Sequence, residues 1–128
     1  MKYSELIKLN NELDVVVDGS EYRIVILSNI MVHQSKEICE FLLRTESVNA
    51  NVLLGEYDNI IQDSTKFQDA NAIVIFWEAC NFVDGLQYKA ESLSSPEFES
   101  IVLKIKNEID LILSNLKDIQ LVLINRFS

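Results

Sequence analysis

Two short and almost continuous apolar runs limit the folds that this chain can adopt. Residues 23–27 (RIVIL) and 72–77 (AIVIFW) are rich in β-branched side chains, and their apolar positions do not alternate with polar ones. A strand of this kind is buried on both faces, which is typical of a parallel sheet covered by helices. The sequence therefore predicts an α/β fold in which these runs are the first and third strands.

Apolar residues recur at spacings of three and four in three segments, which predicts three helices. The first follows Ser4, the second covers residues 33–45, and the third covers residues 96–117. A serine cap, Ser94 or Ser95, marks the start of the third helix. In the second helix, the face that we expect to point toward the core consists of Ile38, Phe41, Leu42 and Thr45.

Residues 52–54 and 120–125 predict two further strands, and a polar stretch over residues 56–70 leads into the third strand. Strands that alternate with helices form a three-layer, doubly wound parallel sheet of the flavodoxin type, here in the order 2-1-3-4. The 128 residues suit one domain over residues 1–128. Because the last predicted strand ends close to residue 128, we expect a sheet truncated after strand 4 and the N-terminal part of a longer protein.

The charge balance and the rare residue types exclude several classes of function. Lys and Arg number 11 against 20 Asp and Glu, giving a net charge of −9 without a basic cluster, so we expect no nucleic-acid partner. No signal peptide or apolar run of bilayer length is present, so we expect a cytoplasmic protein without a membrane partner. Cys39, Cys80 and the single histidine, His33, fit no metal centre, and no glycine-rich nucleotide motif indicates a cofactor.

The predicted topology opens a crevice at the carboxyl ends of the strands, between the first and third strands. The residues that follow the first three strands, and that we expect to bind a ligand there, are Ser28, Asn29, Gly55, Tyr57, Asp58, Glu78 and Asn81. Such a convergence of polar groups at a concave edge is typical of a binding site.

Three of these residues are candidates for catalysis, and each also has a structural interpretation. Ser28 is a candidate nucleophile with His33 as its base, and Asn29 is its neighbour at the end of the same strand. Glu78 is a candidate general base if Trp77 shields its carboxylate from water. Alternatively, all three side chains cap turns at the ends of strands.

Three segments of this chain resemble the N-terminal, SGNH-hydrolase-like domain of FkbH-like proteins, which belong to subfamily IIIC of the haloacid dehalogenase (HAD) superfamily. They are residues 23–30 (RIVILSNI), the helix from His33, and above all residues 53–64 (LLGEYDNIIQDS). The similarity continues through residues 69–76 and covers about half of the chain.

The resemblance implies a companion role. FkbH-like proteins join this domain to a HAD-type domain that acts on a phosphorylated three-carbon acid and transfers it, as a glyceryl group, to an acyl carrier protein. This chain contains no Asp-x-Asp pair, which provides the nucleophile and the acid of the HAD-type domain. The chain is therefore expected to bind the substrate, the carrier protein or the HAD-type domain, and to be catalytically incomplete by itself.

An SGNH-type esterase or acyltransferase is the alternative that the resemblance leaves open. These enzymes place their nucleophile in a Gly-Asp-Ser sequence after the first strand, where this chain has Leu27, Ser28 and Asn29. Gly55 and Asn81 match the family's oxyanion residues only loosely, and no histidine follows His33. A signalling receiver is disfavoured, since no aspartate ends the third strand.

Overall fold

The computed structural model describes residues 1–16, 19–30, 32–78 and 94–125, so Cys80 and the candidate ligand-binding residue Asn81 lie outside the described residues. The helices are α1 (Tyr3–Val16), α2 (Ser35–Thr45), α3 (Ile60–Asp63) and α4 (Ser95–Asn115). The strands are β1 (Tyr22–Ser28), β2 (Ala50–Leu54), β3 (Ala72–Phe76) and β4 (Leu121–Ile124). Helix α3 lies in the polar stretch for which the sequence predicted no element.

The four strands form one parallel sheet in the order β2-β1-β3-β4, which confirms the predicted fold class and strand order. In the register of the sheet, Ile24 of β1 lies between Val52 of β2 and Ala72 of β3. The two runs that identified the fold are thus the two central strands. Their carboxyl ends, at Ser28 and Phe76, are neighbours.

The two faces of the sheet carry separate apolar cores, because successive strand residues point to opposite faces. Val25 and Leu27 pack on one face with Ile112 and Leu116 of α4. Ile24 and Ile26 pack on the other face, where Cys39 and Leu43 of α2 cover them. Helices therefore cover both faces, which explains why the central strands lack alternation.

The buried face of α2 differs from the prediction. Ile38 and Leu42 are exposed, whereas Glu40 and Arg44 are buried. Helix α1 packs against α2, and its buried Asn10 donates to Glu40 Oε1 (3.2 Å) and accepts from Arg44 Nη1 (2.9 Å). The prediction was wrong because α2 places Cys39 and Leu43, not Ile38 and Leu42, on the sheet and turns Glu40 and Arg44 toward α1 and β2.

The same charged side chains close the outer edge of β2. Lys36 Nζ donates to the carbonyl oxygen of Val52 (2.8 Å), and Glu40 Oε2 accepts from the amide of Val52 (3.1 Å). Arg44 Nη2 donates to the carbonyl oxygen of Ala50 (3.0 Å). Lys36, Glu40 and Arg44, here called the charged row, lie four positions apart on one face of α2. They occupy backbone groups that an additional strand would need for pairing.

Helix α4 begins as predicted and buries less of its apolar stripe than predicted. Ser94 Oγ accepts from the amide of Glu97, which confirms the serine cap. Ile112 is buried, whereas Phe98 and Val102 near the start of the helix are exposed. The 21 residues of α4 span about 31 Å. The four residues of β4 span only about 13 Å, so the helix is much longer than the strand beside it.

Candidate functional site

The chain leaves β2 through a narrow passage at Gly55. The Gly55 amide donates to the carbonyl oxygen of Ile26 (2.9 Å), which holds the loop against β1. A Cβ atom at position 55 would lie 2.7 Å from Leu27 Cδ2 and 2.8 Å from Asp63 Oδ2. Glycine is therefore required for this close approach, not for a left-handed backbone.

A buried carboxylate, Asp63 of α3, anchors the loop that follows Gly55. Its Oδ2 accepts from the amide of Glu56 (2.8 Å), and its Oδ1 accepts from Asn59 Nδ2 (3.0 Å). Lys66 Nζ lies 3.4 Å from Oδ1. These contacts fix the turn that carries Tyr57 to the carboxyl edge of the sheet. Asp63 was not predicted as a site residue, because nothing in the sequence pattern separates it from the surrounding polar residues.

A cavity of about 110 Å³ lies at the carboxyl ends of β1 and β2. The residues that line it are Ser28, Ile30, Val32, His33, Leu54, Gly55 and Tyr57. A second cavity, of about 230 Å³, shares Val32 and His33 with the first and continues to Gln34, Ser35 and Ile38 of the α2 region. The two cavities adjoin at these shared residues and are together called the β1–β2 groove. The apolar lining residues Ile30 and Val32 were not predicted as site residues.

Ser28 is held by the backbone around the groove. Its side chain donates to the carbonyl oxygen of Ile30 (2.9 Å), and its own carbonyl oxygen accepts from the amide of Asp58 (2.8 Å). Ser28 and His33 line the same cavity, but no hydrogen bond joins them in the described structure. A nucleophilic serine needs a base that accepts its proton, and a carbonyl oxygen does not provide one.

Asn29 links β1 to the segment that follows β3. The Asn29 side chain is buried, and its Oδ1 accepts from the amide of Glu78 (2.7 Å) while its Nδ2 donates to the Glu78 carbonyl oxygen (2.9 Å). Asn125, after β4, makes the same pair of bonds to Trp77, with distances of 2.6 and 3.0 Å. The two carboxamides therefore extend the pairing of β3 to Trp77 on the β4 side and to Glu78 on the β1 side.

The predicted site residues thus fall into two groups. Ser28, Gly55 and Tyr57 line the β1–β2 groove, and Asp58, with φ of +53°, holds the loop beside it. Asn29 joins the exposed Glu78 through main-chain bonds on the β3 side. The described cavities therefore lie beside β1 and β2, not between β1 and β3 as predicted, because the Asn29 side chain bonds to the backbone of Glu78 at the end of β3.

The described residues contain no group of three or more His, Cys, Asp or Glu side chains placed to hold a metal ion. Within the same ranges, no helix combines the length and apolar character needed to cross a bilayer.

Comparisons with known proteins identify one structural likeness. The fold matches a crystal structure of the N-terminal part of the protein BF1531 from Bacteroides fragilis, which contains a phosphatase domain and is complexed with Mg. The TM-score is 0.72 at 14% sequence identity, and the match covers 99% of this chain. The chain spans 33% of that structure's length. No protein-family model and no curated protein sequence matches this chain.

Proposed function

We propose that this α/β unit is the companion domain of an FkbH-like protein and binds an acyl carrier protein, or the short acyl group that it carries, beside a HAD-type phosphatase or glyceryl transferase domain. The observation that supports this proposal most is the likeness in fold to the N-terminal part of a protein that contains a phosphatase domain. The 128 residues lack the Asp-x-Asp pair of a HAD-type domain, which favours a binding role for this unit.

The β1–β2 groove supports the choice of ligand. Ile30, Val32 and Leu54 give it apolar walls, and Ser28 and Tyr57, which carry hydroxyl groups, belong to the same lining. Apolar walls with a few polar groups suit a small acyl chain that ends in an oxygen function. Tyr57 is 57% exposed, so its ring is available to contact a carrier protein at the rim of the groove.

A titration followed by NMR tests the proposal. The isotope-labelled chain is mixed with an acyl carrier protein that carries a glyceryl thioester, and separately with the unloaded carrier. We expect the amide signals of Ser28, Ile30, Val32 and Gly55 to shift in a saturable manner with the loaded carrier. No shift at these amides with either form of the carrier would contradict the proposal.

A matched pair of variants connects binding to the groove. Tyr57→Ala removes a rim contact, and we expect it to weaken binding by about fivefold, which corresponds to about 1 kcal/mol. Leu42→Ala is the control, because Leu42 is 58% exposed but lies on α2 outside the groove, and the affinity should not change. Equal losses in both variants would place the binding surface elsewhere.

The esterase alternative has a separate assay. Because Ser28 donates its proton to a carbonyl oxygen, we expect p-nitrophenyl acetate to hydrolyse at the buffer rate in the presence of the wild-type chain. Hydrolysis that is present in the wild type and lost in Ser28→Ala would favour the esterase over the companion role.

A further inference from the structure

The charged row leaves the last residue of β2 without a hydrogen-bond partner. The amide of Gly55 donates to the carbonyl oxygen of Ile26, which lies opposite Leu54 in the register, so Leu54 directs its own N–H and C=O away from β1. The corresponding outward groups of Val52 bond to side chains of the charged row. Within the described residues, no group bonds to the N–H or the C=O of Leu54.

This residue lies in the β1–β2 groove. Leu54 lines the cavity of about 110 Å³ together with Gly55, Val32 and His33. It is half-buried, and it packs against the apolar core around Ile24, which fixes its position in the strand. A backbone N–H and C=O that no protein group pairs are able to bond to the amide groups of a ligand. Leu54 therefore provides one donor and one acceptor at the groove.

The rest of the edge limits what pairs with Leu54. A peptide that adds to a sheet as a new strand bonds to alternate residues of the edge, which here are Val52 and Leu54. The charged row already bonds to Val52, so a peptide strand would find only one of these two positions available. A ligand that carries a single N–H and a single C=O a few atoms apart would satisfy Leu54 completely. The edge therefore favours a short amide-bearing chain over a peptide strand.

We propose that Leu54 binds the pantetheine arm of an acyl carrier protein at the β-alanine unit of the arm, an inference that rests on the proposed function. This unit has an N–H at one end and a C=O at the other, with two methylene groups and no side chain between them. Its N–H donates to the Leu54 carbonyl oxygen, and its C=O accepts from the Leu54 amide. Val32 and Ile38, which line the adjoining cavities, offer apolar surface to the methylene groups of the arm.

The size and the charge of the groove suit this part of the arm. The two cavities, of about 110 and 230 Å³, are small for ligand sites, which favours an unbranched chain. Among the described residues, neither cavity is lined by a lysine or an arginine, the side chains that commonly bind phosphate. The phosphate group that joins the arm to the carrier is therefore expected to stay outside the groove.

Hydrogen exchange of the Leu54 amide tests the proposal, with free pantetheine as the probe. At about 10 mM pantetheine, we expect this amide to exchange at least about twofold more slowly in the wild-type chain. The Gly55 amide should not change, because it is already bonded to Ile26 within the sheet. Mercaptoethanol is the control ligand, since it keeps the thiol but lacks the β-alanine unit, and it should leave both amides unchanged.

Leu54→Pro and Leu54→Ala form a matched pair of variants. Both shorten the side chain, but only proline removes the N–H, and an edge strand tolerates proline where the N–H faces outward. Followed at the Val32 amide, pantetheine should bind to Leu54→Ala within about threefold of the wild-type affinity and to Leu54→Pro at least about fivefold more weakly than to Leu54→Ala. Equal affinities of the two folded variants would overturn the proposal. If Leu54→Pro does not fold, the exchange measurement on the wild type decides the matter.

The outcomes separate this inference from the proposed function. If a glyceryl-loaded carrier shifts the groove amides while pantetheine leaves the exchange of Leu54 unchanged, the inference fails and the proposed function stands. If pantetheine slows Leu54 but the loaded carrier shifts no groove amide, the Leu54 site is supported and the carrier protein is contradicted as the partner. An uncharged tripeptide amide that slows Leu54 as much as pantetheine does would overturn the choice of ligand.

Discussion

The two outer strands of the sheet, β2 and β4, differ in whether side chains bond to their outward backbone groups. At β2, the charged row occupies the outward backbone groups of Val52 and the outward carbonyl oxygen of Ala50. At β4, the outward groups of Val122 and Ile124 have no partner among the described residues. The same strand geometry therefore ends in outward backbone groups that are bonded at β2 and, within the described residues, in outward groups that are not bonded at β4.

This difference explains why α2 buries the charged side chains of Glu40 and Arg44. Taking Glu40 and Arg44 out of water is unfavourable, and apolar residues of similar volume often pack in such positions at no loss of stability. An apolar side chain, however, cannot bond to the amide and carbonyl groups of an edge strand. The charged row satisfies those groups and at the same time blocks pairing at β2.

The largest expected effect comes from breaking the closed edge. Arg44→Ala leaves Glu40 buried with only its remaining partners and frees the carbonyl oxygen of Ala50. We expect the free energy of unfolding, measured in urea, to fall by about 3 to 5 kcal/mol. Leu123→Ala at the open edge is the control and should cost less than about 1 kcal/mol, because the side chain is half exposed. Similar losses in the two variants would remove the difference between the edges.

Asn29 and Asn125 sharpen the comparison, since they make the same pair of bonds beside β3 but Asn29 is buried and Asn125 is exposed. Asn29→Ala leaves a buried site without its bonds to Glu78, and we expect a loss of about 2 to 3 kcal/mol in the free energy of unfolding. Asn125→Ala should cost about 1 kcal/mol, because Asn125 is exposed and water can replace its side chain. Urea unfolding of both variants checks this order, and the reverse order would contradict it.

A smaller loss of stability is expected when Lys36, the most exposed residue of the charged row, is replaced. Lys36→Met keeps the apolar stem but removes the hydrogen bond to the carbonyl oxygen of Val52 and the contact with Glu40. We expect a loss of about 1 kcal/mol in the free energy of unfolding, because water reaches this position. A loss as large as that of Arg44→Ala would show that burial is not what separates the two positions.

The smallest expected effect on stability comes from a hydrogen bond between α1 and α2, the helix that carries the charged row. Partial burial and the hydrogen bond to Glu37 raise the pKa of Tyr3 above its ordinary value of 10.0. The neutral hydroxyl therefore stabilises the fold below pH 10, and this contribution is lost as the pH rises through the raised pKa. In unfolding experiments between about pH 9 and 11, Tyr3→Phe should lose less stability than the wild type. Parallel pH profiles would show that the Tyr3–Glu37 bond contributes nothing.

The sequence predicted the sheet well because burial on both faces leaves a strong pattern. The runs at residues 23–27 and 72–77 are typical of central strands, and the doubly wound topology then places the second strand beside the first and the fourth beside the third, as observed. The groove residues Ser28, Gly55 and Tyr57 follow from the same rule, since the ends of parallel strands share one edge.

The edges were harder to predict, because hydrophobic periodicity does not report hydrogen bonds between a side chain and a backbone edge. In α2, hydrophobic periodicity predicted that Ile38 and Leu42, and not the charged row, would be buried. The spacing of four positions between Lys36, Glu40 and Arg44 is nevertheless visible in the sequence. That spacing is equally typical of a solvated helix face, so only the packing of α1 and β2 distinguishes the two cases.

Residue-resolved amide exchange in dilute solution tests the difference between the edges most directly. Val52 and Val122 both direct their amides away from the sheet, one toward Glu40 and the other toward solvent. We expect the Val52 amide to exchange at least about a hundredfold more slowly than the Val122 amide, and Arg44→Ala to reduce that ratio. Equal exchange of the two amides in the dilute wild type would contradict the account.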